Sequence, residues 1–375
     1  MVATLRVMLD QLVAPTDADL AEASRELATA LVVAEPSGCE VEAILPASGD
    51  ASAAAVPGIA GVRRTALARR ELATALQMGV GTGIGGGMIH SPTLLAPLVR
   101  HDRVHDNDQT VVTLWDFRAW ESPGELGRSA VGWNRAMLKR AVKHADAVVV
   151  PTHTHLARLS EIAPKLGDRI RVIAGAAPHG FAVPSDEIGR RREMNLPEGF
   201  LLLSGGSASS DALAVALAAI AETAVDLPVV VIDVPEGQEP AVSDLAAASG
   251  IPERRMHLRG SLSAADRAAV FGATIALIAP AQRTAFPWRV VDALALGVPV
   301  IAADSPVHRE VIFDGGVLAE GADAASLADS LASALTEALS SAASAERLAV
   351  LSGDRGRAFS WREAADRVWQ LHAEL

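Results

Sequence analysis

The chain has 375 residues, of which 50% are hydrophobic and 21% charged, so it is a globular protein long enough for two ordinary domains. Its net charge of −12 argues against broad nucleic-acid binding, which needs cations clustered along a phosphate track. The absence of tyrosine excludes every mechanism that needs a phenol. Cys39 is the single cysteine, so no disulfide forms within the chain and the cytoplasm is the expected compartment.

Short apolar strands alternate with longer helical patterns through the first half of the chain. Strands are predicted at 4–9, 41–45, 110–115, 147–151 and 171–175, and helices at 17–34 and 128–145. Arg6 and Asp10 interrupt the first apolar run, so that run predicts a strand and not a signal peptide. No stretch of about 18 uncharged apolar residues occurs, which argues against a membrane span. Strand–helix alternation with continuous apolar strands predicts a parallel sheet covered on both faces.

Prolines, glycines and charges interrupt this alternation at 180–199, and we interpret 183–199 as an interdomain linker. The alternation then restarts. Strands are predicted at 200–206, 228–234, 256–260, 274–280 and 298–304, and helices from Asp211 and at 264–272, 290–297 and 322–342. The predicted domains are therefore 1–182 and 200–358, followed by an amphipathic closing helix at 359–375.

Two kinds of local composition stand out in the first domain. RRTALARR (63–70) and KRAVKH (139–144) are basic, and solvated helix faces are a more frequent origin of such runs than an acidic-ligand or membrane-surface site. GVGTGIGGGMIHSP (79–92) is rich in glycine and is interpreted as a flexible loop rather than as an anion-binding nest.

The order of motifs resembles that of retaining glycosyltransferases of the GT-B fold, family 4, also called group 1. DALALGVPVIAAD (292–304) followed by REV (309–311) is the most specific part of the resemblance. HSPTLLAPL (90–98), TLWDFRAWESP (113–123) and RVIAGAAPHGF (171–181) extend it through the first domain. The resemblance implies an α/β protein with two Rossmann-like, doubly wound parallel-sheet domains facing across a cleft, and a closing helix that crosses back to the N-terminal domain.

The same resemblance implies a function. It implies transfer of a sugar from a nucleotide-sugar to a glycan or lipid-linked acceptor in cell-envelope or polysaccharide biosynthesis. It implies a cytoplasmic protein, with peripheral contact at the inner membrane face and a partner transferase left open. No nucleic acid, metal or cofactor is expected, since the nucleotide-sugar is itself a substrate.

Members of the family usually carry a glutamate, seven residues, and a second glutamate. The first contacts the donor sugar and the second holds the ribose. Thr284 and Asp292 occupy the matching positions. Asp292 keeps a carboxylate and is expected to hold the ribose hydroxyls, whereas Thr284 carries no charge.

The family also places an arginine–lysine pair after the first strand of this domain, where it neutralises the donor diphosphate. Here SGGSASSDA (204–212) puts Ser210 and Asp211 at those positions, and Asp211 is expected to cap a helix rather than to face phosphates. Backbone N–H groups of the glycine loop remain possible anion donors, and Arg283, Arg289 and Arg309 are candidate replacement cations. The donor-side candidates are Gly205, Gly206, Ser207, Ser210, Arg283, Thr284, Phe286, Arg289 and Asp292.

On the acceptor side, Trp115 stands where the family has a histidine. An indole only donates, so it cannot replace imidazole in acid–base work, and no catalytic residue is assigned. His90, Ser91, Trp115 and Asp116 are the candidates for the acceptor side of the cleft.

The sequence leaves three alternative functions to compare. One is an active retaining glycosyltransferase with an altered donor site, and a second is a catalytically inactive GT-B relative that serves as a binding or partner subunit. The third, an NAD-type dehydrogenase, is disfavoured because GGSASS is not the G-x-G-x-x-G fingerprint. With no cation left in the phosphate loop, nucleotide-sugar binding is expected to be millimolar or weaker.

Overall fold

The computed structural model describes residues 2–47, 55–102 and 108–375. The chain divides into two compact units, each built on its own parallel sheet. Unit 1 comprises Met1–His179, Thr284–Phe286 and Ser360–Leu375, and unit 2 comprises Gly180–Arg283 and Pro287–Phe359.

Within the described residues, the sheet of unit 1 has seven parallel strands in the order β3-β2-β1-β4-β5-β6-β7. The strands are β1 (Ala3–Met8), β2 (Cys39–Leu45), β3 (Gly61–Arg64), β4 (Met88–Ser91), β5 (Gln109–Thr113), β6 (Ala147–Val150) and β7 (Ile170–Val172). The helices are α1 (Asp10–Val13), α2 (Ala18–Val33), α3 (Arg69–Met78), α4 (Arg118–Glu121), α5 (Arg128–His144) and α6 (His153–Ile162). The strand order reverses between β1 and β4, which is the switch point of a doubly wound sheet.

The sheet of unit 2 repeats this plan with six described strands in the order β10-β9-β8-β11-β12-β13. Its strands are β8 (Phe200–Ser204), β9 (Val229–Ile232), β10 (Met256–Leu258), β11 (Thr274–Ala279), β12 (Val300–Ala303) and β13 (Val317–Ala319). Its helices are α7 (Glu187–Glu193), α8 (Leu213–Glu222), α9 (Glu239–Ala248), α10 (Ala264–Gly272), α11 (Trp288–Ala295), α12 (Pro306–Ile312), α13 (Ala324–Ala338) and α14 (Ala342–Gly356). Its switch point lies between β8 and β11. The predicted class, two Rossmann-like parallel-sheet units, is confirmed.

The central strands are buried on both faces, which explains their uninterrupted apolar sequences. All four residues of β6 and all four of β9 are buried. Helices cover each sheet and complete the two cores. In unit 2, for example, Leu217 of α8 and Leu331 of α13 pack in the same cluster as Val231 of β9.

The segment predicted as a linker is structured in part. Helix α7 lies within it and belongs to unit 2. Arg190 Nη1 forms an ion pair with Asp266 Oδ1 of α10 at 2.8 Å, and Arg191 is buried. Part of the segment interpreted as a linker is therefore a helix packed within unit 2.

The glycine-rich segment 79–92 also differs from its prediction as a loop. Its last residues form β4, which pairs with β1 on one side and β5 on the other. His90 and Ser91 are thus strand residues, and both are fully buried.

The closing helix α15 (Trp361–Glu374) belongs to unit 1. Ser360 caps its N-terminus by accepting from Glu363 N–H. Trp369 is buried, and its Nε1–H donates to the carbonyl of Leu31 in α2 at 3.1 Å. Among the described helices, none is long and apolar enough to cross a membrane.

Candidate functional site

A cavity of about 560 Å³ lies in unit 1 at the carboxyl ends of its central strands. Gln11 follows β1, Thr93 follows β4, and the segment from Thr113 to Asp116 ends β5 and continues it, and all of these residues line the cavity. The cavity therefore opens at the switch point between β1 and β4. This is the position where doubly wound sheets bind their ligands.

The wall of this cavity is mixed in character. Hydroxyl, amide and guanidinium groups of Thr16, Arg69, Arg70 and Asn134 line it together with the indoles of Trp115 and Trp133. Such a combination suits a polyhydroxylated ligand, because hydroxyls need hydrogen-bond partners and the C–H faces of a sugar pack on aromatic rings.

Arg69 is fixed at the wall by a buried carboxylate. Asp10 is 1% exposed, and its Oδ2 accepts hydrogen bonds from Arg69 Nε and Gln11 Nε2, each at 2.8 Å. Burial raises the pKa of Asp10, and the neighbouring Arg69 opposes that rise. Because the pair is so enclosed, Arg69 presents a preorganised guanidinium to the cavity.

Two of the four acceptor-side candidates line this cavity and two do not. Trp115 and Asp116 are in its wall, where Trp115 Nε1–H donates to the carbonyl of Pro92 at 2.8 Å and Asp116 pairs with Arg118 at 2.9 Å. His90 instead contacts His372 of α15, with their ring nitrogens 3.3 Å apart. Ser91 Oγ donates to the carbonyl of Leu95 at 2.9 Å. His90 and Ser91 are buried residues of the central strand β4 and are not among the residues that line this cavity.

Arg69, Arg70, Gln11 and Thr93 are cavity residues that the sequence analysis did not assign. Arg69 and Arg70 lie in the basic stretch interpreted as a solvated helix face. Gln11 and Thr93 carried a usable signal, since each is a polar residue within three positions of the end of a buried strand.

Thr284 and Phe286, predicted on the donor side, belong to unit 1. The N–H of Phe117 donates to the carbonyl of Thr284, and the N–H of Phe286 donates to the carbonyl of Trp115, both at 3.0 Å. The N–H of Thr284 also donates to Glu121 Oε2 at 3.0 Å, and the Trp115 and Phe286 rings lie 5.6 Å apart. This backbone pairing connects Thr284–Phe286 to the loop after β5 in unit 1, and not to the phosphate loop of unit 2.

The glycine loop of unit 2 follows β8 as predicted, but its own chain occupies its N–H groups. Gly205 N–H donates to the carbonyl of Ile232 at 3.0 Å, and Gly206 N–H donates to Asp211 Oδ2 at 2.8 Å. Ser207 donates to Gln238 Oε1 through its N–H at 2.9 Å and through its hydroxyl at 3.0 Å. The loop thus has the shape of an anion cradle with internal acceptors in it.

Asp211 does not cap α8, so that part of the prediction was wrong. The N-cap residue is Ala212, which has a left-handed conformation (φ 54°) and makes no side-chain cap. The turn directs Asp211 back toward the glycine loop, where its Oδ1 also forms an ion pair with Arg283. Ser210 lies beside this pair, with its Oγ 3.4 Å from Arg283 Nη1.

A second charged cluster surrounds Asp292 on α11. Asp292 is 2% exposed, and its Oδ2 lies 2.8 Å from both Arg289 Nη1 and Arg267 Nε. Arg289 Nε also pairs with Asp233 Oδ2 at 2.6 Å, and Ser204 donates to the same oxygen. Arg289 therefore lies in the first turn of a helix and not in a loop, and Asp292 faces two arginines instead of an open ribose site.

The electrostatic balance of these two clusters is neutral. Arg267, Arg283 and Arg289 contact Asp211, Asp233 and Asp292. Arg309, the remaining candidate cation, is 62% exposed at its side chain and pairs with Asp304, which lowers the pKa of that carboxyl. Every arginine proposed as a substitute clamp thus has a carboxylate partner in the structure.

Comparisons with known proteins find similarity over part of the chain. Residues 207–349 match the family model described as "Glycosyl transferases group 1". The D-inositol 3-phosphate glycosyltransferase of Stackebrandtia nassauensis is 29% identical over 244 residues, which cover 61% of this chain and 54% of that protein. The chain therefore spans about half the length of this curated relative.

Solved structures resemble the chain over its whole length. The structure of Anabaena HepE with UDP and glucose gives a TM-score of 0.73 at 15% identity and covers 100% of both chains. Sucrose-phosphate synthase from Thermosynechococcus elongatus gives 0.72 at 18% identity, with 99% of this chain and 98% of that chain covered. At these identities the structures define the fold, which is that of GT-B glycosyltransferases. The expected GT-B fold is thereby confirmed.

Proposed function

We propose that this protein transfers a sugar from a nucleotide-sugar, bound at the carboxyl edge of the sheet of unit 2, to a hydroxylated acceptor bound in the cavity of unit 1. The supporting observation is the coincidence of two independent features. The match to group 1 glycosyltransferases begins at Ser207, inside the glycine loop, and the cavity of unit 1 occupies the ligand position of a doubly wound sheet.

The acceptor proposed here is a small polyol. A volume of about 560 Å³ is in the range of small-molecule sites and accommodates a molecule the size of one or two sugar rings. Arg70, next to the Arg69–Asp10 pair in the cavity wall, favours an acceptor that carries a negative charge close to its hydroxyls. The inositol phosphate named for the Stackebrandtia relative has this chemistry and is the first acceptor to test.

In a retaining transfer without a metal, the bond from the anomeric carbon to the diphosphate oxygen breaks as the acceptor hydroxyl oxygen forms the new glycosidic bond, and the hydroxyl proton passes to the leaving diphosphate. The leaving diphosphate gains negative charge, so the reaction depends on preorganised positive groups around it. Here Asp211, Asp233 and Asp292 already balance the nearby arginines. We therefore propose slow turnover and a donor dissociation constant in the millimolar range.

A second candidate function is a non-catalytic binding or partner subunit of GT-B fold. It is favoured by one observation, namely that Asp211 and Gln238 fill the glycine loop with their own oxygen atoms. In this case the cavity of unit 1 still binds a polyol, while unit 2 binds no donor.

Calorimetric titration with UDP, UDP-sugars, GDP-sugars and dTDP-sugars tests the first proposal, together with product detection when inositol phosphate is added. Millimolar affinity with slow transfer supports it. Acceptor binding without any donor binding favours the non-catalytic subunit. Low-micromolar donor binding contradicts the proposed weakness and identifies an active clamp in unit 2.

Cell-envelope or polysaccharide assembly in the cytoplasm remains our proposal for the biological setting. The single cysteine of the chain, Cys39, supports the cytoplasmic setting. Cell fractionation with an antibody against the native chain tests the location, and recovery in the extracellular fraction contradicts it.

A further inference from the structure

We propose that Arg283, together with the N–H groups of Gly206 and Ser207, forms the diphosphate-binding site of unit 2, and that Asp211 and Gln238 occupy this site as internal ligands. This proposal rests on the proposed function for the identity of the ligand. It assigns a cation, Arg283, that the family pattern does not contain. It also assigns a role to Asp211, whose carboxylate pairs with Arg283 inside the proposed site.

The carboxylate of Asp211 makes the contacts that a phosphate group would make. One oxygen accepts from Gly206 N–H at 2.8 Å, and the other forms an ion pair with Arg283. A backbone N–H and a guanidinium on two oxygens of one anion is the usual arrangement for bound phosphate. Asp211 is therefore an intramolecular stand-in for an oxyanion.

The position of these groups in the sheet supports the assignment. Gly206 and Ser207 follow β8, and Arg283 is four residues beyond the end of β11. These two strands pair directly and flank the switch point of unit 2. The ion pair between Asp211 and Arg283 thus joins the two loops that border the expected ligand position of this sheet.

Arg283 is better suited to this role than the other candidate arginines. Arg289 is 9% exposed and contacts two aspartates, so its release would leave buried charges without a partner. Arg309 pairs with Asp304, at the end of β12. Arg283 has a side chain that is 28% exposed, and it pairs with Asp211 in the adjoining loop.

The two glycines provide the close approach that this arrangement requires. A Cβ atom at Gly205 would lie 3.0 Å from the Asp211 carboxylate, and one at Gly206 would lie 2.8 Å from Pro235 Cδ and against Gln238 Oε1. Gly205 also has a φ of 120°, which favours glycine. Side chains at these positions would exclude either an internal carboxylate or an external phosphate.

The internal ligand lowers the apparent donor affinity by a factor equal to the fraction of molecules in which the site is open. Removing its charge leaves Arg283 available and removes the repulsion between Asp211 and a diphosphate. A charge-assisted contact corresponds to about a tenfold or larger change in affinity. We therefore expect Asp211→Asn to bind diphosphates at least about tenfold more tightly than the unmodified protein.

The experiment is calorimetric titration of the full chain with inorganic pyrophosphate and, separately, with UDP. The variants are Asp211→Asn, Arg283→Gln and the double variant, and Asp211→Ala serves as a second probe if the asparagine variant melts early. Asp304→Asn is the matched control, since it makes the same substitution at a carboxylate paired with Arg309. Asp211→Asn should gain affinity, the double variant should lose that gain, and Asp304→Asn should leave affinity unchanged.

The outcomes separate this inference from the proposed function. A gain for pyrophosphate but not for UDP supports the anion site and contradicts the nucleotide part of the proposed function. Unchanged affinity in both Asp211 variants, with UDP binding by the unmodified protein, overturns the internal ligand and leaves the proposed function intact. A gain that persists in the double variant, or that appears equally in Asp304→Asn, overturns the role of Arg283.

Discussion

Arg289 Nη1 and Asp292 Oδ2, three residues apart on α11, form a 2.8 Å hydrogen bond inside unit 2. Arg267 Nε lies 2.8 Å from the same oxygen, and the side chains of Arg267 and Asp292 are each 3% exposed. A buried carboxylate between two guanidinium groups is strongly coupled to folding, because the loss of one partner leaves buried charge uncompensated.

Asp292→Asn should therefore destabilise unit 2 by about 3–5 kcal/mol. The substitution keeps the side-chain volume but leaves Arg267 and Arg289 with one negative charge fewer. Urea unfolding measures the change in the free energy of unfolding. A nucleotide titration of the same variant, below its unfolding midpoint, separates stability from binding.

Glu363→Gln is the matched control for this prediction. Glu363 pairs with Arg367 one helical turn away on α15, and both side chains are more than half exposed. Its loss should change the free energy of unfolding by at most about 0.5 kcal/mol. If Asp292→Asn is as stable as this control but binds nucleotide more weakly, Asp292 holds the ribose, as the sequence analysis predicted.

Acid should destabilise the protein through two buried histidines of unit 1. Burial lowers the pKa of His372 from 6.5 to about 4, partly opposed by Asp146, and burial beside His372 lowers the pKa of His90 well below its usual value. Gln109 Nε2 donates to the His372 carbonyl, so its Oε1 accepts from His372 Nδ1–H. His372 Nε2 then accepts from His90 Nδ1–H, and His90 Nε2 has no partner among the described residues.

The direction of the pH effect follows from these depressed pKa values. Above about pH 6.5 both histidines are neutral in the folded and unfolded states, so they impose no penalty. As the pH falls from 6.5 toward 4, the unfolded chain binds protons that the folded chain does not, and His372 alone removes on the order of 3 kcal/mol of stability.

Urea unfolding at several pH values should show this loss in the unmodified protein and a smaller loss in His372→Gln. The exposed His179→Gln serves as the control, and an equal slope in all three proteins would rule out the buried pair.

The strands that are buried along their whole length could be predicted from the sequence. β6 and β9 are buried along their whole lengths, so their runs of valine and isoleucine identify them without any neighbours. β3 was missed because GVRR is a half-buried to exposed edge strand with no apolar run. β4 was missed because its glycines, needed for left-handed turns at Gly83, Gly85 and Gly87, precede a strand of only four residues.

The candidate site was harder to predict from the sequence, because its ion pairs join residues that are far apart in the chain. Asp211 and Arg283 are 72 residues apart, and nothing local to either indicates the other. The choice between a helix cap and the glycine loop depended on the left-handed conformation of Ala212, which alanine rarely adopts.

Trp369 on α15 should be required for the stability of unit 1. Trp369→Ala removes a buried indole and its hydrogen bond to Leu31, at an expected cost of about 3–5 kcal/mol. Trp369→Phe, which retains most of the volume, should cost about 1–2 kcal/mol. Hydrogen exchange measured by mass spectrometry should be faster in α2 of Trp369→Ala than in α2 of the unmodified protein. Gln370→Ala, its exposed neighbour, should leave exchange in α2 unchanged, and protection of α2 in Trp369→Ala would show that the closing helix does not stabilise this unit.

Replacing both residues at the family's clamp positions should create a stronger donor site. Ser210→Arg together with Asp211→Lys removes the internal carboxylate and adds two cations beside Arg283. Each new charge-assisted contact to a diphosphate is worth about 1.5–3 kcal/mol, so affinity for UDP-sugars should rise by at least about tenfold.

The substitution also raises the net charge by three, which strengthens anion binding everywhere on the surface. The control must therefore carry the same charge, and Ser243→Arg with Glu222→Lys provides it at two exposed positions of unit 2 outside the loop 204–212. Calorimetry at low and at high salt compares the two, since contacts in a formed site lose less affinity with salt than general surface attraction does. Equal gains in both double variants would show that the glycine loop is not where the diphosphate binds.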